Sequence, residues 1–121
     1  MTEGEKSRPN PRGLAEALRL MVITDRDLAG PRGIHAVVDS ALLGGCRVIQ
    51  LRDKQASARE LAAMGRTLLP KVRRAGGLLL VNDRLDVAMA IGADGVHLGP
   101  ADLPLDAARS VAPAGFLIGF S

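Results

Sequence analysis

The chain is almost devoid of aromatic residues. It has no tryptophan and no tyrosine, and phenylalanine occurs only at Phe116 and Phe120. Proteins that bind single-stranded nucleic acid stack the bases on aromatic side chains. The chain lacks the residues for such a site, so no nucleic-acid partner is expected.

Cysteine and long apolar runs are also scarce. Cys46 is the single cysteine, so no internal disulfide can form, and its small and apolar neighbours indicate a buried thiol rather than a nucleophile. No apolar run reaches the roughly 18 residues that suggest a membrane-spanning helix. Residues 1–12 are polar and lack the apolar segment of a signal peptide. We therefore expect a cytoplasmic protein with no membrane partner.

The excess of positive charge is small. The chain has 16 lysines and arginines against 13 aspartates and glutamates, which gives a formal net charge of +3. The one basic cluster, Lys71 with Arg73 and Arg74, falls at the end of a predicted helix, where cations interact favourably with the helix dipole. This favours a solvated helix terminus over a surface that binds nucleic acid.

Short strands and helices alternate along the chain. Its first part, residues 1–13, is charged and rich in proline and glycine, which predicts a disordered leader before a domain at 14–121. A capping box at Ser57 and Glu60 begins one helix, in which Pro70 should cause a kink. The strands are continuously apolar, which is typical of a parallel sheet covered by helices. We predict strands at 20–24, 47–51, 78–81, 95–98 and 116–120, and further helices at 33–43, 84–91 and 104–111.

Polar residues lie where these strands end, and the carboxyl ends of strands carry the functional site in barrels and open α/β sheets. Alternate side chains of a strand share a face, so Gln50, Arg52 and Lys54 should point the same way and suit a polar anion. Asn82, Asp83 and Asp102 add oxygen ligands for a hard cation. This combination predicts a magnesium-assisted pyrophosphate site.

The chain resembles the thiamine-phosphate synthase family from about residue 20 to residue 121. The resemblance rests on four fragments that occur in order, each at a strand end. They are QLRDK at 50–54, VND at 81–83, GVHLG at 95–99 followed by DLP at 102–104, and the closing GFS at 119–121.

The resemblance implies an α/β fold of the (β/α)8 TIM-barrel type, of which this chain would hold the first four βα units and strand 5. The family joins hydroxymethylpyrimidine diphosphate to a thiazole phosphate and releases pyrophosphate. By resemblance, these two small molecules would be the substrates and Mg2+ the cofactor.

The same resemblance implies roles for individual residues. Arg52 and Lys54 would be catalytic and would bind the diphosphate, to which Asn82 and Ser121 would add hydrogen bonds. Gln50 would help to hold the pyrimidine. Asp83 and Asp102 would be the metal ligands.

The chain departs from the family pattern in two respects. Pro100 and Ala101 stand where the family commonly has Gln-Glu or Gln-Asp, so one outer carboxylate near the metal is lost and the affinity for Mg2+ could fall. A complete barrel needs eight units and ~200 residues or more, so we expect a truncated chain. The later loops that hold the thiazole phosphate are not recognisable.

Other interpretations of these residues remain open. Arg52 and Lys54 could form a solvated strand end, and Asp83 could cap the helix that follows it. Asp102 could likewise cap the helix after Pro104, and His97, in an apolar strand, favours a structural role over that of a base.

Two alternative functions also remain. One is a thiazole tautomerase relative, which shares the barrel but binds no diphosphate. The other is a non-catalytic half-barrel that binds an anion or a partner chain, or associates with itself through exposed sheet edges.

Overall fold

The computed structural model describes residues 11–121, with side chains from Gly13 onward. Its helices are α1 (Pro11–Ala17), α2 (Arg26–Ala29), α3 (Gly33–Leu43), α4 (Ala58–Arg74), α5 (Leu85–Ile91) and α6 (Leu105–Val111), with a 3₁₀ turn at Gly30–Arg32. The strands are β1 (Met21–Ile23), β2 (Val48–Leu51), β3 (Leu78–Asn82), β4 (Gly95–Leu98) and β5 (Leu117–Phe120).

All five strands are parallel and lie in the order β1-β2-β3-β4-β5. Each new strand is added beside the preceding one, so the order never reverses as it does in a doubly wound sheet. Because crossovers between parallel strands are right-handed, this order puts the connecting helices on a single face. That is the arrangement of a barrel wall.

The main core lies between the sheet and these helices. Ile49, Leu79 and Val96 point from the strands into it and meet Leu68 and Val72 of α4. The second, smaller core lies on the opposite face of the sheet, where Val48, Leu78 and Leu80 pack with residues of α1. The outer face of the sheet is thus covered by helices, and part of the inner face by α1.

Most predicted elements agree with the structure to within one or two residues at each end. The capping box of α4 forms, because Ser57 Oγ accepts from the backbone N–H of Glu60 and the Glu60 carboxylate accepts from that of Ser57. Helix α4 runs through Pro70 without interruption. Cys46 is buried, as predicted.

The first helix, α1, has no counterpart in the sequence-based prediction. It begins at Pro11, inside the leader predicted at 1–13, whereas residues 1–10 lie outside the described part of the chain. A proline in the first turn suits a helix start. Between residues 11 and 121 no helix is both long and apolar enough to cross a membrane.

Candidate active site

A depression of about 280 Å³ opens at the carboxyl edge of the sheet. Six of the seven predicted site residues line it, and Asp102 lies beside it. The lining consists of Ile23, Gln50, Arg52, Lys54, Asn82, Asp83, His97, Leu98, Gly99 and Ser121. The strand-end rule therefore selected residues that lie close together in the structure.

The floor of the depression is polar but closed to solvent. Gln50 is only 2% exposed, and its side-chain amide lies 3.0 Å from that of Asn82, with which it forms a hydrogen bond. Its nitrogen also lies 3.2 Å from Sδ of Met21. A buried amide needs such partners, and here they hold Gln50 and Asn82 in fixed positions next to each other.

Two cations flank the depression in different electrostatic states. The Lys54 ammonium forms an ion pair with the Asp83 carboxylate. The guanidinium of Arg52 has neither a hydrogen-bonding partner nor an ion-pair partner among residues 13–121. Arg52 therefore presents five unused N–H donors to an incoming anion.

The two predicted metal ligands are neighbours. Partial burial raises the pKa of Asp83, but the hydrogen bond from Lys54, the interaction with the neighbouring Asp102 carboxyl group and the charges of Lys54 and Arg52 outweigh it and leave this pKa below its usual value. The Asp102 carboxylate also accepts a hydrogen bond of 2.7 Å from the backbone N–H of Gly99. The carboxyl groups of Asp83 and Asp102, which come from separate loops, are thus neighbours.

Neither aspartate caps a helix. The N-cap positions of α5 and α6 are Arg84 and Pro104, and neither of these helices has a side-chain cap. The capping alternatives for Asp83 and Asp102 are therefore wrong. Both carboxyl groups face the depression and its rim instead.

His97 is absent from the predicted site residues but lies at the depression. Its ring lines the depression, and Nε2 lies 2.6 Å from Oγ of Ser121. The signal was available, because the strand-end rule that selected Asn82 applies equally to His97, its register partner on β4. The apolar neighbours Val96 and Leu98 belong to the main core, although Leu98 also borders the depression.

The donor set suits a small hard cation with phosphate oxygens. Carboxylates are ligands that Mg2+ accepts, and one or two per ion is usual because phosphates and water complete its shell. No group of three or more His, Cys, Asp or Glu side chains that could hold a metal occurs within residues 13–121. Asp83 and Asp102 fit a metal that is held jointly with a phosphorylated ligand.

Comparison with known proteins identifies the family. The profile of the family described as thiamine monophosphate synthase matches residues 20–121. The chain belongs to this family. Curated members include thiamine-phosphate synthases from Roseiflexus sp. strain RS-1, 50% identical over 100 residues, and from Methanoregula boonei, 49% identical over 104 residues.

A solved structure of the family confirms the fold. The thiamine phosphate pyrophosphorylase from Pyrococcus furiosus superposes with a TM-score of 0.81 at 44% identity, over 88% of this chain and 51% of that one. The predicted α/β fold of the (β/α)8-barrel type is therefore correct.

The chain spans about half the length of the curated relatives it matches. The aligned region covers 83% of this chain and 42% of the Roseiflexus protein, and 86% and 48% for the Methanoregula protein. These thiamine monophosphate synthase relatives thus contain further sequence that has no counterpart in residues 1–121.

Proposed function

We propose that the protein to which this chain belongs is a thiamine-phosphate synthase. It would be a Mg2+-dependent transferase that joins hydroxymethylpyrimidine diphosphate to thiazole phosphate and releases pyrophosphate. One observation carries the proposal. Two cations, two amides and the Asp83 carboxylate line a single depression at the carboxyl edge of the sheet, and the Asp102 carboxyl group lies beside it.

The residues at the depression have different roles in this proposal. Arg52 and Lys54 bind the diphosphate, and Asn82 and Ser121 donate further hydrogen bonds to it. Gln50, buried at the floor, holds the pyrimidine through its amide. His97, 2.6 Å from the Ser121 hydroxyl, orients that hydroxyl.

Asp83 and Asp102 would hold Mg2+. Bound there, the ion supplies positive charge that stabilises the diphosphate as a leaving group. The Lys54 ammonium forms an ion pair with Asp83, so it lies beside a carboxylate that would hold the ion. The segment Pro100–Ala101 contributes no additional carboxylate, so we propose that the metal is held weakly unless the diphosphate is also present.

The reaction needs charge stabilisation more than it needs a base. As the bond between the pyrimidine methylene carbon and the diphosphate oxygen breaks, its electron pair moves onto the leaving diphosphate. The thiazole nitrogen then bonds to the methylene carbon. Fixed cations stabilise the charged leaving group more in the transition state than in the ground state, which raises the rate.

A direct assay tests the proposal. The protein at its full natural length is incubated with both substrates, with MgCl2 or with EDTA, and thiamine phosphate and pyrophosphate are quantified. We expect equimolar products that require Mg2+. Absence of product with a folded protein and excess Mg2+ would contradict the proposal, and so would equal product formation in EDTA.

The tautomerase alternative is tested by a separate measurement of pyrophosphate binding. A thiazole tautomerase has no need to bind a diphosphate or a metal, whereas this chain retains Arg52, Lys54, Asn82, Asp83 and Asp102. Failure to bind pyrophosphate in the presence of Mg2+ would favour the tautomerase.

A second candidate function, association through sheet edges, is favoured by the exposed strands. In the described part of the chain, β1 hydrogen-bonds only to β2, and β5 only to β4. Ile23 on β1 is 51% exposed and Phe120 on β5 is 55% exposed. Open edges with exposed apolar side chains promote pairing with another chain.

Sedimentation analysis with dye binding tests this second function. We would measure the mass of residues 1–121 in solution and the fluorescence of the dye ANS, which reports exposed apolar surface. A compact dimer with low ANS fluorescence would support a self-sufficient half-barrel. A monomer or an aggregate with high ANS fluorescence would contradict a self-sufficient half-barrel.

A further inference from the structure

An ion pair lies directly beside the candidate site, between two loops that follow adjacent strands. Nε of Arg26 donates a hydrogen bond of 3.0 Å to Oδ2 of Asp53, and a second nitrogen of the same guanidinium contacts the same oxygen. The Asp53 side chain is 8% exposed, whereas that of Arg26 is 52% exposed. Asp53 stands between Arg52 and Lys54 in the chain.

The loop after β2 is folded around Asp53. Its second carboxylate oxygen, Oδ1, accepts a hydrogen bond of 3.0 Å from the backbone N–H of Gln55. Arg52 is tied to the other loop, because its backbone N–H donates to Thr24 Oγ1 at 3.0 Å and its carbonyl accepts from that hydroxyl at 3.3 Å. The two loops therefore share one set of contacts at the edge of the site.

These loops enclose a second depression of about 130 Å³. Its lining consists of Asp25, Arg26, Asp27, Arg52, Asp53, Lys54 and Gln55. Arg52 and Lys54 thus line both depressions and border the anion site as well as the loop that holds Asp53.

Asp53 carries a charge that the site has to neutralise. Burial raises the pKa of Asp53, but the hydrogen bonds from Arg26 and from the Gln55 N–H outweigh it and hold this pKa below its usual value. The carboxylate is therefore ionised at neutral pH. A buried carboxylate without a partner attracts any cation within ~4–6 Å, and Arg52 and Lys54 line the same depression as Asp53.

We propose that Arg26 is a positioning residue for the anion site, because by neutralising Asp53 it keeps Arg52 and Lys54 available for the diphosphate. The inference rests on the proposed function, since it requires that the larger depression bind a diphosphate. Arg26 itself lines only the smaller depression, so its effect on the diphosphate passes through Asp53.

Four proteins test this inference: the wild type, Arg26→Met, Asp53→Asn and the double variant, each at its full natural length. The affinity for pyrophosphate in saturating Mg2+ is measured by titration calorimetry. We expect Arg26→Met to weaken binding about 10-fold, because Asp53 then competes for Arg52 and Lys54. Asp53→Asn keeps the acceptor for the Gln55 N–H and should bind as the wild type does.

The double variant separates charge from structure. If Arg26 acts by neutralising Asp53, removing the carboxylate restores the affinity of Arg26→Met to within about 3-fold of wild type, as a coupled pair requires. If Arg26 acted only by bracing the loops, the double variant would bind as weakly as Arg26→Met or more weakly, and that result would overturn the inference.

Lys71→Met is the matched control. It removes a lysine that forms an ion pair of 3.0 Å with Asp39, at the opposite edge of the sheet, and should leave the affinity unchanged.

Should Arg26→Met fail to fold, Arg26→Lys replaces it and is expected to retain wild-type affinity. A 10-fold loss of affinity in Arg26→Lys would contradict a role of charge alone.

The outcomes also separate this inference from the proposed function. A wild type that binds no pyrophosphate with Mg2+ contradicts both. Wild-type binding that Arg26→Met leaves unchanged contradicts only the role of Arg26.

Discussion

At the scale of single residues, Asp83 has an unusual backbone conformation. Its φ is +66°, and it is the only non-glycine residue with a positive φ between residues 11 and 121. Aspartate tolerates this left-handed region better than most residues but still at some cost, and such strain clusters at functional sites. Here the turn directs the carboxylate to Lys54 and Asp102.

Substitutions at Asp83 should separate its charge from its backbone role. In the protein at full length, Asp83→Asn keeps a side chain that tolerates positive φ, so turnover should fall about 100-fold through lost charge stabilisation with little loss of stability. Asp83→Ala should lose as much turnover and also about 1 kcal/mol of unfolding free energy. Steady-state kinetics and urea denaturation measure the two effects. Wild-type turnover in Asp83→Asn would show that the reaction does not depend on the Asp83 carboxylate.

Arg52 should matter for turnover as much as Asp83 does. Its guanidinium has no partner among the described side chains, so its removal costs the fold little. Arg52→Ala in the full-length protein should lower kcat about 100-fold, because the leaving diphosphate loses a fixed cation. Arg66→Ala, on the exposed side of α4, is the matched control and should leave kcat unchanged. Equal rates in both variants would exclude the proposed role of Arg52.

The Arg26–Asp53 pair makes stability depend on pH in a known direction. The folded-state pKa of Asp53 lies below its ordinary value of 3.8, so its stabilising effect is complete above that value and is lost as the pH falls through the lower, folded pKa. Between about pH 5 and pH 3, the unfolding free energy should fall less steeply in Arg26→Met than in the wild type. Urea denaturation at both pH values measures the slopes, and equal slopes would contradict this contribution.

At the scale of elements, the close approach of β4 and β5 positions the His97 ring. A Cβ atom at Gly119 would lie 2.6 Å from Nδ1 of His97, which is closer than real contacts allow. Glycine at this position of β5 therefore leaves the space that the ring occupies. In that position the His97 ring forms a hydrogen bond with Ser121, the residue that follows β5.

Gly119→Ala should therefore disturb both packing and the site. We expect a loss of about 1–3 kcal/mol of unfolding free energy from overpacking, and loss of the His97–Ser121 hydrogen bond, visible as shifted His97 ring signals in NMR spectra. Gly44→Ala is the control, because Gly44 has a φ of −76° and a Cβ there would come no closer than 3.4 Å to its neighbours. Unchanged ring signals in Gly119→Ala would show that His97 does not depend on this space.

At the scale of the whole molecule, the sheet covers only part of a barrel wall. The chain matches about half the length of its relatives, and β1 and β5 each have one neighbour in the described region. A site at the carboxyl edge of a closed barrel draws residues from several strands around the ring. The groups at the depression therefore correspond to one side of such a site.

The 121 residues expressed alone should accordingly have little synthase activity. We expect turnover at least about 100-fold below that of the full-length protein, because orienting two substrates together contributes much of the rate and no groups for the thiazole phosphate are recognisable here. The same assay on the isolated chain and on the full-length protein measures this ratio. Turnover of the isolated chain close to that of the full-length protein would contradict the expectation.

The sequence by itself predicted the strands, the edge of the sheet at which polar residues gather and most of the residues that line the depression. Period-2 alternation and the ends of apolar runs are local properties, so they identified Gln50, Arg52, Asn82 and Asp83 without knowledge of the fold. The capping box at Ser57 was equally local, since both partners lie within one turn.

Only the tertiary structure decided which groups are paired and which are free. Lys54 meets Asp83, Arg26 meets Asp53, and His97 meets Ser121 across separations of 24 to 29 residues. The Arg52 guanidinium has no hydrogen-bonding or ion-pair partner among the side chains that the structure describes. Such pairings depend on the register of neighbouring strands and the path of the loops between them, and no short sequence pattern encodes either.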